Sequence, residues 1–229
     1  MVPYQEQYSA AISRQILPEE QIMTRTDSHR FVRGHGTVTV TTRKGRKVRV
    51  RHIRPTDAPL LIDMFHRLSP ETRRFRFFTS IPDLPEDILW REVRRYTEFN
   101  ERRQAALIAV VREDRQDRAV GVVRLVVEKA DPDIAEVAIV LRDDYQREGL
   151  GTAMFDLLIQ LALVRGIKRL RAVSLAENEG VQRLIQHAGF RVASQTSHGE
   201  TTQIMYLEEQ DGEQHGPGST AACESHTSS

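Results

Sequence analysis

The chain has 229 residues, of which 39% are hydrophobic and 28% are charged, and its formal net charge is +1. This composition is ordinary for a soluble globular protein and allows one sizeable domain with extensions. No apolar run approaches the ~20 residues of a membrane-spanning helix, and the N-terminus lacks the apolar core of a secretory signal. The single cysteine, Cys223, excludes an intrachain disulfide and a cysteine-rich metal site. We therefore expect a cytoplasmic protein with no metal and no membrane attachment.

Charge is unevenly distributed along the sequence. Ten basic residues between Arg25 and Arg54 are opposed only by Asp27, whereas the segment after Leu207 has five acidic residues and neither lysine nor arginine. Nucleic-acid binding would require interleaved aromatic residues or a known module, and neither is present. We interpret the basic stretch as a solvated face. The predicted organisation is a loosely ordered N-terminal arm (1–35), one domain (36–209) and a disordered acidic tail (210–229).

The first half of the domain begins with a predicted hairpin. Thr37–Thr42 and Lys47–Ile53 alternate in polarity and are separated by a basic turn. Apolar residues then recur at helical spacing from Leu60 to Leu68. Ser69 is predicted to cap a short helix with proline at its first position, and a third helix is expected over Glu86–Tyr96.

The second half combines apolar strands with two helices. Predicted strands are Ala105–Val111, Ala119–Val127, Ile134–Leu141, Leu170–Leu175, Arg191–Ser194 and Thr202–Leu207. Predicted helices are Gly149–Arg165, which is apolar around most of its circumference, and Asn178–Ala188. The pattern predicts a mixed α/β (α+β) fold with helices on both faces of one sheet.

The stretch Val137–Phe155 combines a strand, a glycine turn and a helix start. Gly149 and Gly151 allow a ligand to approach the backbone closely, and the first helical turn has unpaired N–H donors at the positive end of the helix dipole. Such a junction is an anion site, most often for phosphate. The phosphate loop of nucleotide hydrolases is excluded because no Gly-Lys-Ser/Thr follows, and the dinucleotide fingerprint because a third glycine is missing.

The pattern Gln146-x-x-Gly149-x-Gly151 resembles the Q/R-x-x-G-x-G/A signature of the GNAT N-acetyltransferases. Asn178 and Gly189-Phe190 fall where that family has its N…GF segment. Four other segments resemble the acetyltransferase domain of bacterial protein-lysine acetyltransferases: Ile53-Arg54-Pro55-x-Asp57, Leu68–Thr72, Arg76–Phe78 and Ala135–Ala138. The resemblance extends over about Val48 to Leu207, and it implies a GNAT-like, mostly antiparallel sheet.

The resemblance implies that acetyl-CoA is the acyl donor. Its pyrophosphate would lie on the loop amides, and its pantetheine arm would pair with the main chain of Ile139 and Leu141, which share one side of their strand. The implied donor-binding residues are Ile139, Leu141, Gln146, Arg147, Glu148, Gly149, Leu150, Gly151, Thr152 and Asn178. For Asn178, a helix N-cap is an equally good interpretation.

Glu136 is the candidate catalytic base. It interrupts an otherwise apolar strand, where burial without a partner would raise its pKa into a useful range, and the bacterial lysine acetyltransferases have their base at this Ala-Glu position. The alternative is a structural ion pair with Arg124. No general acid is assigned, because many family members have a tyrosine where this chain has Ile185, and neither Tyr145 nor His187 replaces it.

The resulting functional prediction is an N-acyltransferase that moves an acetyl group from acetyl-CoA to a primary amine. A protein lysine is the expected acceptor and a small-molecule amine the alternative. A non-catalytic acyl-CoA-binding regulatory module is the competing hypothesis. The sequence leaves a homo-oligomer open and gives no acyl-chain preference.

Overall fold

The computed structural model describes Phe31, residues 36–78 and residues 85–207. The predicted arm (1–35) and tail (210–229) therefore lie outside the described residues, except for Phe31. This phenylalanine is 1% exposed, and its ring lies 5.3 Å from that of His52. The boundaries of the arm and tail remain predictions.

The described ranges 36–78 and 85–207 form eight strands and five helices. The strands are β1 (Thr37–Thr41), β2 (Lys47–His52), β3 (Gln104–Glu113), β4 (Gln116–Val127), β5 (Ile134–Leu141), β6 (Arg169–Leu175), β7 (Arg191–Ser197) and β8 (Glu200–Tyr206). The helices are α1 (Ala58–Arg67), α2 (Pro70–Phe77), α3 (Glu86–Thr97), α4 (Leu150–Val164) and α5 (Glu179–Gln186). In this part of the chain, no helix is long and apolar enough to cross a membrane.

All eight strands belong to one sheet with the order β1-β2-β3-β4-β5-β6-β8-β7. Strand β5 pairs in parallel with β6, and the other neighbouring strands are antiparallel. Parallel neighbours need a crossover connection, and α4 provides it. The predicted mixed, mostly antiparallel sheet is confirmed.

The sheet has a helical layer on each face, as predicted. Helix α4 packs on one face, where Leu150, Met154 and Leu158 are fully buried. Helices α1–α3 cover the other face, where residues such as Met64 contact the alternate side chains of β3, including Ile108. Because β3 is covered on both faces, it is apolar along most of its length.

Two hairpins are longer than predicted because their turns are tighter. Asp114 and Arg115 both have left-handed φ values, 48° and 62°, and so do His198 and Gly199, 51° and 80°. Two consecutive left-handed residues make the two-residue turn whose twist matches the paired strands. The β3–β4 ladder therefore continues to Glu113 and Gln116, where the sequence predicted a longer charged turn.

Strands β5 and β6 diverge, and this divergence creates the gap in which the candidate site lies. Their paired register begins at Ile134 with Arg169 and ends at Val137 with Ala172. On its other side, β5 remains paired with β4 as far as Leu141. The last half of β5 therefore has one paired side and one side that faces the gap.

Candidate functional site

The loop between β5 and α4 leads into a helix N-terminus at the end of β5. Gly149 is the N-cap of α4 and has φ 85°, a conformation that L residues with a Cβ avoid. The following amides, from Leu150 onwards, belong to the first helical turn, which has no intrahelical acceptors for them. The positive end of the helix dipole lies at the same point. This geometry suits a phosphate or pyrophosphate group.

The two glycines of the motif are required for different reasons. A Cβ on Gly149 would have its nearest neighbours, atoms of Arg43, at 3.8 Å, so conformation rather than space selects glycine there. Gly151 does not have a positive φ, but a Cβ on it would lie 3.2 Å from Cδ1 of Leu141. Glycine at this position therefore lets α4 begin directly against the end of β5.

The β1–β2 turn holds the loop in place through Glu148. The main-chain N–H of Arg43 donates to the Glu148 carbonyl at 2.9 Å. The Arg46 guanidinium donates to both carboxylate oxygens, at 3.1 and 2.5 Å, and Lys44 Nζ lies 2.9 Å from Oε1. Glu148 is 2% exposed, and the hydrogen bonds from Arg46 and Lys44 lower its pKa to about 2.

Sequence analysis missed this role of the basic turn. Arg43, Lys44 and Arg46 were interpreted as part of a solvated face, and their partner Glu148 is about 100 residues further along the chain. No spacing rule connects the two segments. Elsewhere on the same hairpin, Arg49 pairs with Asp117 at 2.8 Å.

The main-chain groups of Ile139 and Leu141 face the gap between β5 and β6. The N–H of Arg142 donates to Val120 of β4 at 2.9 Å, and the Ile134 carbonyl accepts a hydrogen bond at 2.9 Å from Glu128, just beyond β4. Even-numbered residues of β5 therefore direct their main-chain groups toward β4, and odd-numbered residues direct theirs the other way. Beyond Val137, that other side is the gap.

Gln146 is bonded within the protein. Its Nε2 donates to the Leu141 carbonyl at 3.2 Å and to Thr72 Oγ1 at 3.1 Å. Asp143 accepts hydrogen bonds from the Ser69 and Thr72 hydroxyls, both at 2.7 Å. Partial burial opposes the shift, but the hydrogen bonds from Thr72 and Ser69 lower the pKa of Asp143. These contacts attach the start of α2 to the segment that precedes the glycine loop.

Glu136 lies on β5 on the same face as Ala138, and the alternative interpretation, an ion pair with Arg124, is wrong. Its Oε2 accepts a hydrogen bond from Nη2 of Arg171 at 3.0 Å, and its side chain is 54% exposed rather than buried. Arg171 lies beside Glu136 in the parallel register, whereas Arg124 faces Ala138 and donates to Gln104 of β3. The expected desolvation of the carboxylate is therefore also wrong.

Three other residues considered in the sequence analysis, Asn178, Tyr145 and His187, are hydrogen-bonded within the protein. Asn178 accepts a hydrogen bond from the Val181 N–H at 3.3 Å, so the helix N-cap interpretation is confirmed, while its contact with a donor remains a prediction. Tyr145 is buried and donates to Glu113 at 3.2 Å. His187 is exposed, with Nδ1 2.7 Å from a main-chain carbonyl. Ile185 is 2% exposed.

A cavity lies on the face of the sheet opposite α4, under helices α1–α3. Its volume is about 220 Å³. The floor comes from β3, β4 and β5, and it includes Ala138 and Val140 on the same side of β5 as Glu136. Two cations line the cavity, Arg76 and Arg124. An acceptor in this cavity would lie beside the half of β5 that faces the gap.

The other two arginines of α2 face away from this cavity. Arg73 stacks on the ring of Phe65 at 4.5 Å and donates to its carbonyl at 3.2 Å, and Arg74 pairs with Glu177. Within residues 36–78 and 85–207, histidine, cysteine and acidic side chains do not form a group of three that could hold a metal ion.

Comparisons with known proteins agree with this geometry. The sequence model of the acetyltransferase (GNAT) domain matches residues 47–191. The chain is 29% identical to acetyltransferase PA5475 of Pseudomonas aeruginosa over 162 residues, which cover 71% of this chain and 83% of that protein. The GNAT domain of S. lividans PAT has a TM-score of 0.65 at 25% identity, covering 74% of this chain and 96% of that chain. Salmonella typhimurium yncA, solved with its cofactor acetyl-CoA, shares the fold at TM-score 0.51 and 17% identity, with coverage of 73% and 98%.

Proposed function

Because this chain belongs to the GNAT acetyltransferase domain family, we propose that it transfers an acetyl group from acetyl-CoA to a primary amine. One observation carries the proposal: the gap beside β5 and the N-terminus of α4 adjoin each other. A Cβ on Gly151 would lie 3.2 Å from Leu141 at the end of β5. A single elongated donor can therefore contact both sets of main-chain groups. Similarity to a curated acetyltransferase supports the same reaction class.

In the proposed complex, the donor is held mainly by the main chain. The amides of Arg147–Thr152 bind the pyrophosphate at the positive end of α4. The groups of Ile139 and Leu141 that face the gap bind the amide-bearing pantetheine arm, as an added strand would. In this complex, a main-chain N–H of the same strand edge would donate to the thioester carbonyl, where negative charge develops during the reaction. The protein supports this arrangement indirectly through Gln146 and Glu148.

The chemistry requires a base, and we assign this role to Glu136. The amine nitrogen attacks the thioester carbonyl carbon, a C–N bond forms, the C–S bond breaks and CoA leaves as a thiolate. An alkylammonium titrates near ~10.4, so it must lose a proton before the attack. Glu136 is exposed enough to accept that proton and to release it to solvent. A thiol with a pKa near ~8.5 leaves as a thiolate without a dedicated acid, consistent with Ile185 at the tyrosine position.

Arg171 pairs with Glu136 but does not depend on it for an acidic neighbour. Its Nε also lies 2.8 Å from Oε1 of Glu128, an ion-pair distance without hydrogen-bond alignment. When Glu136 accepts a proton, Arg171 therefore keeps a carboxylate neighbour. The proposed acceptors include a protein lysine and a small-molecule amine, because the chemistry at the thioester is the same for both.

The test combines binding and turnover on the same protein. Calorimetry measures acetyl-CoA affinity, and CoA release is followed with protein lysines and small amines, with acetylated products identified by mass. We expect binding and amine-dependent CoA release. Binding without transfer to any amine would support the non-catalytic acyl-CoA-binding module instead, and absence of binding would refute the donor site.

A further inference from the structure

The cavity under α1–α3 is apolar over most of its wall. Leu61, Met64, Phe65 and Leu68 form part of the roof, and Val122 lies in the floor. Its volume of about 220 Å³ is smaller than the roughly 300 Å³ at which most ligand pockets begin. The cavity therefore has room for a short apolar chain but not for a large acceptor.

Arg124 places a cation at this apolar wall. Its Cζ lies 4.7 Å from the ring centroid of Tyr96 and 5.7 Å from that of Phe99. One Nη donates to Gln104, a neutral amide, and the buried Nε has no hydrogen-bond partner. Within the described parts of the chain, no carboxylate forms an ion pair with this guanidinium.

Arg76 adds a second cation to the same cavity. Its Cζ lies 5.8 Å from the Tyr96 centroid, and among the described residues it too has no carboxylate partner. The one acidic residue among the cavity-lining side chains, Glu92, is 3.3 Å from Arg95 and 3.7 Å from Arg91 on the surface of α3. Burial lowers the pKa of Arg124, and the charge of Arg76 lowers it further.

Two neighbouring cations in an apolar cavity, neither of which has an ion-pair partner among the described residues, are unfavourable unless an anion joins them. A guanidinium binds a carboxylate through a planar, two-pronged arrangement of hydrogen bonds. The same two charges repel an ammonium that brings no negative group. They would therefore disfavour a protein lysine, whose four-carbon stem carries no anion into the cavity.

We infer that the acceptor is a small amine whose apolar chain ends in a carboxylate, and that Arg124 and Arg76 bind this carboxylate. The inference rests on the proposed acetyl transfer and names its substrate class. Arg124 reaches toward β3, whereas the donor gap borders β5. Strands β3 and β5 lie on either side of β4, so they are two strand spacings of about 4.8 Å apart. The carboxylate and the reacting nitrogen are therefore separated by on the order of 10 Å. An ω-amino carboxylate of about six carbons meets this requirement, whereas the adjacent amino and carboxylate groups of an α-amino acid do not.

The test compares three acceptors in acetyl-CoA-dependent CoA release: 6-aminohexanoate, its neutral amide 6-aminohexanamide, and a peptide whose single lysine has uncharged neighbours. We expect kcat/KM for the carboxylate to exceed that for the amide by about ten- to a hundredfold, the value of a hydrogen bond to a charged group. Arg124→Met and Arg76→Met should each lower the carboxylate rate by about tenfold or more and leave the amide rate within about twofold.

Arg91→Met is the matched control, because it removes a cation from the exposed face of α3 and should change neither rate. Melting temperatures identify any variant that fails to fold, and Arg76, on a different element, gives an independent test if Arg124→Met unfolds. Calorimetry of acetyl-CoA separates the two proposals. Absence of donor binding would refute the acetyltransferase function itself. Donor binding without a preference for the carboxylate, including transfer to the peptide lysine alone, would overturn the inference and leave the proposed function standing.

Discussion

Glu136 has an exposed carboxylate that pairs with Arg171. Arg171 also pairs with Glu128, so it retains an acidic partner when the charge of Glu136 is removed. Removing its charge should therefore have little effect on stability, since exposed ion pairs contribute about 0–1 kcal/mol. If Glu136 is the base, Glu136→Gln should lower turnover by about 10²–10⁴-fold. Steady-state rates, acetyl-CoA calorimetry and thermal melts on the same samples measure the three effects.

Glu128→Gln is the matched control for this experiment. It removes the other carboxylate beside Arg171 but lies before β5, away from the reacting end of the strand. Its turnover should remain close to wild type. A Glu136→Gln variant that is stable and fully active would exclude Glu136 as the base, and equal losses in the two variants would assign Glu136 a purely structural role.

Gly149 and Gly166 allow conformational strain to be separated from ligand binding. Both have left-handed φ values, 85° and 73°, at opposite ends of α4. The backbone of an aspartate at either position would be strained by roughly 1 kcal/mol. Gly149→Asp also places a negative charge where the pyrophosphate is proposed to bind, and like charges about 4 Å apart repel by about 4 kcal/mol at an effective surface dielectric.

We therefore expect Gly149→Asp to weaken acetyl-CoA binding by about 100-fold or more, with binding by Gly166→Asp unchanged. Calorimetry on the two folded variants measures the difference. Wild-type affinity in Gly149→Asp would show that the pyrophosphate does not bind at this loop.

Asp156 should make the stability of the fold depend on pH. It lies within α4, is 3% exposed, and its Oδ2 has no hydrogen-bond partner. Burial raises its pKa from 3.8 to about 7. Because the folded state binds the proton more tightly than the unfolded state, stability falls as pH rises from about 4 to 7.

Asp156→Asn should therefore melt at a higher temperature than wild type at pH 8, and the difference should disappear near pH 4. The gain is at most about 4 kcal/mol at 1.36 kcal/mol per pKa unit. Thermal melts across this range test the sign. A variant that is less stable than wild type at pH 8 would contradict it.

At the scale of elements, the β1–β2 turn acts as a clamp on the glycine loop, although it precedes the residues that match the family. Arg46 is central, because it bonds both oxygens of Glu148 and stacks on Tyr145 with its Cζ 3.4 Å from the ring centroid. Arg46→Met should lower kcat/KM for acetyl-CoA by roughly 10- to 100-fold, since a shift of about 1 Å in a positioning group can have effects of this size.

Lys47→Met is the control for the clamp, because it removes a positive charge from the same hairpin at an exposed position. Since the pKa of Glu148 is lowered to about 2, the stability that its ion pairs provide is present above its unfolded value near ~4.3 and is lost as pH falls through 2. The stability difference between Arg46→Met and wild type should thus be constant from pH 5 to 8. Equal kcat/KM in Arg46→Met and Lys47→Met would show that the clamp has no effect on the donor.

Local pattern predicted the elements of this fold well. Strand β5 was predicted with the bounds observed, and α4 within one residue at each end, because their apolar runs and flanking turn residues are local signals. The contacts between distant elements were not predictable in the same way. Period-two alternation gave the correct face for Glu136 but not its neighbour, because Arg171 reaches it only through the crossover that places β6 beside β5.

At the scale of the whole molecule, the cavity follows from sheet order rather than from any motif. Its floor combines residues of three strands, such as Ala106, Val122 and Val140, and its roof combines three helices. Of the arginines of α2, Arg76 lines the cavity. Sequence analysis offered Arg124 as the alternative partner of Glu136, and this was wrong because the direction of a long side chain depends on the helix packed above it.

The parallel ladder between β5 and β6 is short, so the two parts of the sheet are weakly joined there. Strands β1–β5 and β6–β8 are joined across the described sheet by four residue pairs, 134–137 with 169–172, whereas ten pairs join β3 to β4. Amide hydrogen exchange should thus be faster in β6–β8 than in β3 and β4. A donor bonded to the side of β5 that faces the gap would, at 100 times its Kd, stabilise the fold by about 2.7 kcal/mol. Acetyl-CoA, the proposed donor, should then slow exchange on both sides of the β5–β6 ladder, so that the rigidity of the sheet would depend on the supply of this ligand.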